Sequence, residues 1–184
     1  MIRKWKLLSS KEIANYYIFK VFENRSESPV TGEAHNFYAL RTKNWANVIA
    51  ITHDKKVVMV RQYRHGIDDI TLEFPAGGMD ENDPHLESTV RRELLEETGY
   101  AADDVVDLGF VHTNPAFLNN KCHTFLALNA TKKGAQNLDI TEDISIEEIP
   151  LASIPEMIIS GQITHSLSVV AYFLYTQHGT EKAP

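Results

Sequence analysis

One stretch constrains the fold of this chain more than any other: residues 73–100, EFPAGGMDENDPHLESTVRRELLEETGY. It is typical of a strand end, a glycine-rich turn and a helix that carries Glu93, Glu96 and Glu97. Residues three and four positions apart share one face of a helix, so these carboxylates are neighbours. Like charges at this spacing repel, and an isolated helix gains nothing from them. A divalent cation would remove that repulsion.

The apolar residues of the same helix indicate where these acids point. Leu86 and Val90 project on nearly the same side as Glu93 and Glu97. A helix whose acids are merely solvated has them opposite its apolar stripe. Here they face the protein body or a cleft in it, where unpaired carboxylates are costly and usually find a cation. Carboxylate oxygens favour hard ions, so the pattern predicts Mg²⁺, with Mn²⁺ as the alternative.

The helix has recognisable ends. Asp83 is a plausible N-cap, and Pro84 follows at the first helical position, where its missing N–H costs nothing. Gly99 lies where a left-handed residue is expected to end the helix.

Residues 92–100, RELLEETGY, resemble the second half of the Nudix box, which reads Arg-Glu-apolar-any-Glu-Glu-any-Gly-apolar. The first half departs from the pattern. In one alignment Gly78 is the box Gly, and Pro84 stands where the family has a Glu. In the other, Gly77 is the box Gly and Asp83 replaces that Glu in a loop one residue longer. In the family this Glu is mainly a structural partner, so the departure concerns the loop conformation more than the activity.

The resemblance covers roughly residues 37–175 and implies an α/β fold, the Nudix α/β/α sandwich with a mixed sheet and a small N-terminal β region. We expect an N-terminal β arm over residues 1–40, a Nudix hydrolase domain over residues 41–178 and a disordered tail over residues 179–184.

Local patterns agree with this class of fold. β-branched and aromatic runs predict strands, polar stretches with Pro or Gly predict loops, and broad apolar faces predict helices. The predicted elements are strand 16–25, loop 26–36, paired strands within 46–63, two strands around the loop that contains Pro115, polar loop 131–143, strand 144–150, and helices 153–161 and 166–178.

Two features resemble the ADP-ribose pyrophosphatase branch of the family. The triplet Gln62-Tyr63-Arg64 matches a segment whose Arg contacts substrate, and Arg is suited to bidentate phosphate binding. Pro115 follows the box at the distance seen in enzymes that act on nucleoside diphosphate sugars, although Ala116 stands where those enzymes often have Gly. Glu73 could reach the substrate as well, or could be an outward-facing strand residue.

The resemblance also implies a set of metal ligands: Glu93, Glu96, Glu97, Glu142 and a backbone carbonyl from the turn, at Ala76 or Gly77. The expected catalytic carboxylates are Glu97, Glu93 and Glu142, and the proton acceptor is either Glu142 or a box glutamate. Ile140 stands where some relatives have a second Glu, so the identity of the base stays open.

The reaction implied is hydrolysis of the pyrophosphate bond of a nucleoside diphosphate sugar. ADP-ribose, giving AMP and ribose 5-phosphate, is favoured by Arg64 and Pro115. GDP-mannose or another nucleotide sugar is the first alternative, because the loop after Pro115 differs. A non-catalytic module that senses nucleotide sugars is a second alternative, and a house-cleaning hydrolase of nucleoside triphosphates is a third.

Composition limits the partners and the compartment. The formal net charge of −7 argues against a general nucleic-acid or membrane surface. The single cysteine, Cys122, excludes an intrachain disulfide and fits a reducing compartment. With no leader and no apolar run of membrane-spanning length, we expect a cytoplasmic protein. The N-terminal β region and the family together predict a homodimer.

Overall fold

The computed structural model describes residues 1–80, 83 and 85–180. The chain divides into two compact units, a smaller one formed by residues 1–44 and 112–121, and a larger one formed by residues 45–111 and the chain from Cys122 onward. The predicted boundary at residue 40 stays a prediction. Among the described residues, no helix has the length and apolar character to cross a membrane.

In the described part of the chain the elements follow in this order: β1 Lys6–Asn15, β2 Lys20–Glu27, β3 Ala34–Arg41, β4 Trp45–Thr52, β5 Lys56–Arg64, β6 Asp69–Glu73, β7 Ala76–Gly78, α1 Leu86–Thr98, β8 Tyr100–Ala101, β9 Asp104–His112, β10 Lys121–Lys132, β11 Ile144–Pro150, a short 3-10 turn Leu151–Ser153, α2 Ile154–Ile159 and α3 Ser166–Thr180. The predicted tail therefore begins inside α3, and residues 181–184 lie outside the described residues.

The smaller unit contains an antiparallel sheet in the order β1-β2-β3. The predicted strand over residues 16–25 is wrong at its start, because Tyr16 donates its backbone N–H to the carbonyl of Phe19 and closes a turn between β1 and β2. The predicted loop over residues 26–36 is shorter than expected. Pairing of Glu27 with Ala34 extends both strands into it.

The larger unit is organised around a mixed sheet in the order β11-β5-β4-β10-β8, with β6 paired to β5, β7 to β4 and β9 to β10. Strands β4 and β10 run parallel, whereas β5 is antiparallel to β4, β6 and β11. The pairing of β7 with β4 aligns Gly77 with Ala46 and Ala76 with Asn47. The glycine-rich turn therefore lies next to β4, in the middle of the sheet.

Alternate residues of β4 face opposite sides of this sheet, as the period of two in a strand requires. Ile49 and Ile51 belong to a core that includes residues of α2 and α3. Val48 and Ala50 belong to a second core that includes residues of α1. The larger unit is therefore a sheet between two helical layers, which confirms the predicted α/β/α sandwich.

Helix α1 begins later than predicted. His85 is its N-cap residue, so the prediction that Asp83 caps the helix is wrong. The Asp83 carboxylate instead accepts a hydrogen bond from the Thr89 hydroxyl and pairs with Arg92, both further along the helix. The prediction for Pro84 lies outside the described residues. Gly99 ends the helix with a left-handed φ of 68°, as expected.

Candidate active site

The carboxylates of Glu93 and Glu97 lie against consecutive residues of β7. Glu97 is 3% exposed, and its Oε2 accepts a hydrogen bond from the backbone N–H of Ala76 at 3.0 Å. The Glu93 carboxylate lies so close to Gly77 that a Cβ there would come within 3.0 Å of Oε1. The prediction that the acids of α1 face the protein body therefore agrees with where the structure has them.

Burial makes these two carboxylates unusually weak acids. It raises the pKa of Glu93 to about 7; the charge of Arg92 opposes the rise, and Glu96 and Glu142 add to it. Burial also raises the pKa of Glu97 to about 8, and the negative charge of Glu93 adds to the effect. Ionisation of both side chains together is unfavourable without a compensating cation.

The loop between β10 and β11 brings Glu142 near these acids, since its charge contributes to the raised pKa of both Glu93 and Glu97. Two contacts with the end of α1 hold this loop. The Gln136 side chain donates to the backbone carbonyl of Glu97 at 2.7 Å, and Asn137 donates its backbone N–H to the carbonyl of Glu96 at 2.8 Å.

Arg92 joins the helix to the loop that precedes it. Its guanidinium contacts Glu93 at 3.0 Å, Glu96 at 2.9 Å and Asp83 at 3.1 Å. Glu96 is thus engaged in an ion pair with Arg92 beside Glu93 and Glu97. Because Asp83 pairs with Arg92, the structure favours the alignment in which Asp83 replaces the first Glu of the box.

Arg64 and Glu73 form a second feature of the site. Arg64 donates from Nε and Nη2 to the two oxygens of Glu73, at 2.7 and 2.6 Å. Glu73 is 1% exposed, which removes the interpretation that it is an outward-facing strand residue. Burial disfavours its charged form, but the hydrogen bonds and charge of Arg64 outweigh this effect and lower the pKa of Glu73. The charge of Arg64 also acts on Glu97, so the two features are neighbours.

The carboxylate oxygens of Glu93, Glu97 and Glu142 suit a hard divalent cation, although the described residues are not arranged as a complete metal site. Within residues 1–80, 83 and 85–180, no three His, Cys, Asp or Glu side chains are grouped so that they could hold a metal ion as they stand. Glu97 is buried and Glu93 partly buried, both have raised pKa values, and Glu142 lies close by, so these carboxylates nevertheless have the oxygen chemistry and the negative charge that a hard divalent cation binds.

The structure brings most of the residues predicted for the site into one region of the larger unit. These are Arg64, Glu73, Gly77, Glu93, Glu96, Glu97 and Glu142. Pro115 belongs to the smaller unit, and its contact with substrate stays a prediction. Sequence reasoning gave no role to Arg92, although it is part of the box. It also missed Thr71 and His165, both partners of Glu73, because nothing in the sequence around either residue signals the contact.

The NUDIX domain family matches residues 43–164 of the chain, which is more than half of its length. The chain belongs to the Nudix family. The sequence-based prediction of the family is confirmed, and with it the class of enzyme, a hydrolase.

Three curated relatives show the range of names among proteins similar to this Nudix protein. It is 32% identical over 168 residues to a methanol dehydrogenase activator of Bacillus methanolicus, which covers 90% of this chain and 89% of the relative. It is 29% identical over 164 residues to an ADP-ribose pyrophosphatase of Bacillus subtilis, covering 86% and 88% of the two chains. It is 31% identical over 145 residues to a GDP-mannose pyrophosphatase of Salmonella typhimurium, covering 73% and 75%.

A solved structure described as an ADP compounds hydrolase has the same fold. It matches with a TM-score of 0.84 over 100% of this chain and 98% of the other, at 21% sequence identity. At that identity the likeness concerns the fold alone, and it agrees with the Nudix sandwich described above.

Proposed function

We propose that this Nudix hydrolase cleaves the pyrophosphate bond of a nucleoside diphosphate sugar with the help of Mg²⁺, and that ADP-ribose is the leading substrate. The observation that carries the proposal is the arrangement of the partly buried Glu93 and the buried Glu97 against β7, with Arg64 near enough to act on Glu97. Acids for a divalent ion beside a guanidinium for phosphate are what a pyrophosphate substrate requires.

The groups that would hold Mg²⁺, or Mn²⁺ in its place, are the carboxylates of Glu93, Glu96, Glu97 and Glu142 and the backbone carbonyl of Gly77. When bound, such an ion neutralises phosphate charge and makes a bound water more acidic. Gly77 suits this role because it has no Cβ, which leaves room for Glu93 directly against the strand.

The side chains of the chain itself supply phosphate binding and proton transfer. A guanidinium has five N–H groups, and Glu73 occupies two of those of Arg64, so three remain for substrate oxygens. The Arg64 side chain is 40% exposed, which leaves it accessible to a ligand. Glu142 or one of the box glutamates accepts the proton of the attacking water, since a carboxylate within hydrogen-bond reach of a water molecule can act as its general base.

ADP-ribose leads because Gln62-Tyr63-Arg64 and Pro115 match the corresponding branch, and because a B. subtilis relative is an ADP-ribose pyrophosphatase. GDP-mannose is the alternative within the same chemistry. It is supported by the GDP-mannose pyrophosphatase relatives and by Ala116, where the other branch often has Gly.

A candidate of a different class rests on the B. methanolicus relative, whose name describes an activator of methanol dehydrogenase. The chain would then act on a methanol dehydrogenase. The presence of the box acids Glu93, Glu96 and Glu97 argues against a purely non-catalytic sensing module.

The test is turnover of ADP-ribose, GDP-mannose, ADP-glucose and nucleoside triphosphates with and without Mg²⁺, with the products separated by chromatography. AMP and ribose 5-phosphate from ADP-ribose would support the leading proposal. Preference for GDP-mannose would support the same pyrophosphatase chemistry and make GDP-mannose the substrate in place of ADP-ribose. If no substrate is turned over, while addition of the protein accelerates a methanol dehydrogenase, the candidate of the other class replaces it.

We also propose that the chain forms a homodimer through its N-terminal sheet. Large apolar side chains are exposed in this part of the smaller unit, among them Trp5, Leu7, Ile13, Phe37 and Tyr38. Exposed apolar surface of this kind is typical of an interaction site. Sedimentation equilibrium tests the proposal, and a monomer mass at micromolar concentration would exclude it.

A further inference from the structure

Glu73 makes four contacts with three partner residues, two contacts on each carboxylate oxygen. Its Oε1 accepts from Arg64 Nε at 2.7 Å and from the Thr71 hydroxyl. Its Oε2 accepts from Arg64 Nη2 at 2.6 Å and lies 3.3 Å from Nδ1 of His165. Of these partners, Arg64 and Thr71 come from the adjacent strands β5 and β6, whereas His165 comes from a distant part of the chain.

The start of α3 fixes the position of His165. The backbone N–H groups of Ser168 and Val169 donate to the carbonyl of His165 at 3.0 and 3.1 Å, so His165 is built into the first turn. The Ser168 hydroxyl lies 3.2 Å from His165 Nδ1 and accepts the backbone N–H of Phe74 at 3.2 Å. The beginning of the helix therefore contacts Glu73 and the residue that follows it.

The charge around the imidazole decides where its proton lies. Burial lowers the pKa of His165, with Glu73 opposing the shift and Arg64 adding to it, which favours the neutral ring. A neutral ring with a bare Nδ1 would direct a lone pair at the carboxylate 3.3 Å away. The tautomer with its proton on Nδ1 avoids this repulsion and places an N–H between Glu73 and Ser168.

We infer that His165 is a positioning residue for phosphate binding, whose Nδ1–H steadies the Glu73 carboxylate that holds the Arg64 guanidinium. The inference rests on the proposed function, in which Arg64 binds substrate phosphate. Because Glu73 binds the Nε and Nη2 edge of Arg64, its orientation sets the direction of the remaining N–H groups. A tilt of Glu73 would turn those donors away from the phosphate.

The experiment compares His165→Leu with His165→Asn in the full-length protein. The amide nitrogen of Asn lies as many bonds from Cβ as Nδ1 of His, so this variant keeps the donor, whereas Leu removes it. With ADP-ribose and Mg²⁺, we expect His165→Leu to raise KM about tenfold and to change kcat less than about threefold, with His165→Asn close to the wild type. Val169→Ala, which removes a core contact from the same turn of α3 and leaves the contacts of His165 Nδ1 in place, is the matched control and should lower the melting temperature without the same rise in KM.

A second readout follows Arg64 directly and does not need turnover. In ¹⁵N-labelled protein the Arg64 Nε–H, assigned with Arg64→Lys, should give a resolved signal that exchanges slowly with water. We expect this signal in the wild type and in His165→Asn, and its broadening or loss in His165→Leu.

The two readouts separate the inference from the function on which it rests. A wild type that hydrolyses no nucleotide sugar would refute the proposed function, while the Nε–H signal would still report whether His165 positions Arg64. An unchanged Arg64 signal in a folded His165→Leu variant, or a KM that rises equally in His165→Asn and His165→Leu, would overturn the inference.

Discussion

The carboxylate of Glu93 fills the space that a side chain on Gly77 would need. A Cβ on Gly77 would lie closer than 3.0 Å to Glu93 Oε1, a separation that real Cβ atoms essentially never show. Among the described residues, the same construction on the neighbouring Gly78 meets only Trp45 Cδ1, at an ordinary contact distance of 3.9 Å. Two adjacent glycines therefore differ in function. One makes room for an acid of the site, and the other does not.

Gly77→Ala should displace the Glu93 carboxylate rather than unfold the protein, because the contact is made by the end of a flexible side chain. We expect Mg²⁺-dependent turnover to fall by about 100-fold, since a ligand displaced by an ångström disrupts the site, with a change in melting temperature of only a few degrees. Gly78→Ala is the matched control and should retain most activity. Equal losses in the two variants would show that the turn as a whole matters, and not the space for Glu93.

Glu97→Gln should abolish most activity without loss of stability. The substitution keeps the shape of the side chain and the oxygen that accepts the Ala76 N–H. It removes the ionisable carboxyl group of a residue that is 3% exposed and whose pKa is raised to about 8. We expect turnover to fall by about 100-fold or more, with an unfolding temperature equal to or above that of the wild type. Glu87→Gln, at an exposed acid of the same helix that pairs with Arg91, is the control and should stay active. Near-normal turnover by purified Glu97→Gln would show the assignment of the acid site to be wrong.

The box helix and its acidic face could be predicted from the sequence because both depend on local periodicity. Val90 and Glu97 lie on one buried face, as the spacing of the residues requires. The start of the helix could not be predicted. Asp83 is a good N-cap residue by type, but it pairs with Arg92 and Thr89, and His85 is the residue at the helix start. A contact with a side chain nine residues away outweighed local propensity.

Contacts between segments that are distant along the chain could not be predicted from the sequence. His165 approaches Glu73 only because β6 and the start of α3 meet in the folded unit, and no pattern in either segment indicates it. The same holds for Gln136, whose side chain ties the loop of Glu142 to the end of α1. In the smaller unit, the run of aromatic residues at Tyr16–Phe19 predicted a strand, but the pairing of Asn15 with Lys20 makes it a turn.

Stability without a divalent ion should decrease as the pH rises from about 5 to about 8. Glu93 and Glu97 have folded pKa values of about 7 and about 8, against an ordinary value of 4.5, so between these limits the folded chain binds more protons than the unfolded chain. The free energy of unfolding then falls as pH rises. Mg²⁺ binds deprotonated carboxylates, so it should raise the melting temperature more at pH 8 than at pH 5. Scanning calorimetry in EDTA and in Mg²⁺ measures both effects.

The double variant Glu93→Gln/Glu97→Gln serves as the control for this pH dependence. Without the two titrating groups, the fall in melting temperature between pH 5 and pH 8 should be smaller, and Mg²⁺ should have little effect. A double variant that keeps the full pH dependence would assign it to other groups.

Cys122 should be inert in the native protein. It is 2% exposed, and burial raises the pKa of its thiol to about 12, so almost no thiolate is present at neutral pH. We expect a disulfide reagent such as DTNB to modify no thiol in the folded protein over an hour, and to modify one per chain in denaturant. Rapid modification of the native protein, with loss of activity, would instead place a reactive thiol at the site.

Arg64→Ala should destabilise the fold as well as weaken substrate binding. The substitution leaves Glu73, which is 1% exposed, without the partner that holds its pKa down. A buried carboxylate without its cation is costly, and with allowance for the 40% exposure of the Arg64 side chain we expect a loss of about 2 kcal/mol in the free energy of unfolding. Arg64→Ala/Glu73→Gln should recover part of that loss, because a neutral amide is cheaper to bury than a charge. Neither variant should regain the KM of the wild type, since both lack the guanidinium that we propose binds phosphate. If the double variant is instead less stable than Arg64→Ala, Glu73 depends mainly on Thr71 and His165, and these would be the partners to vary next.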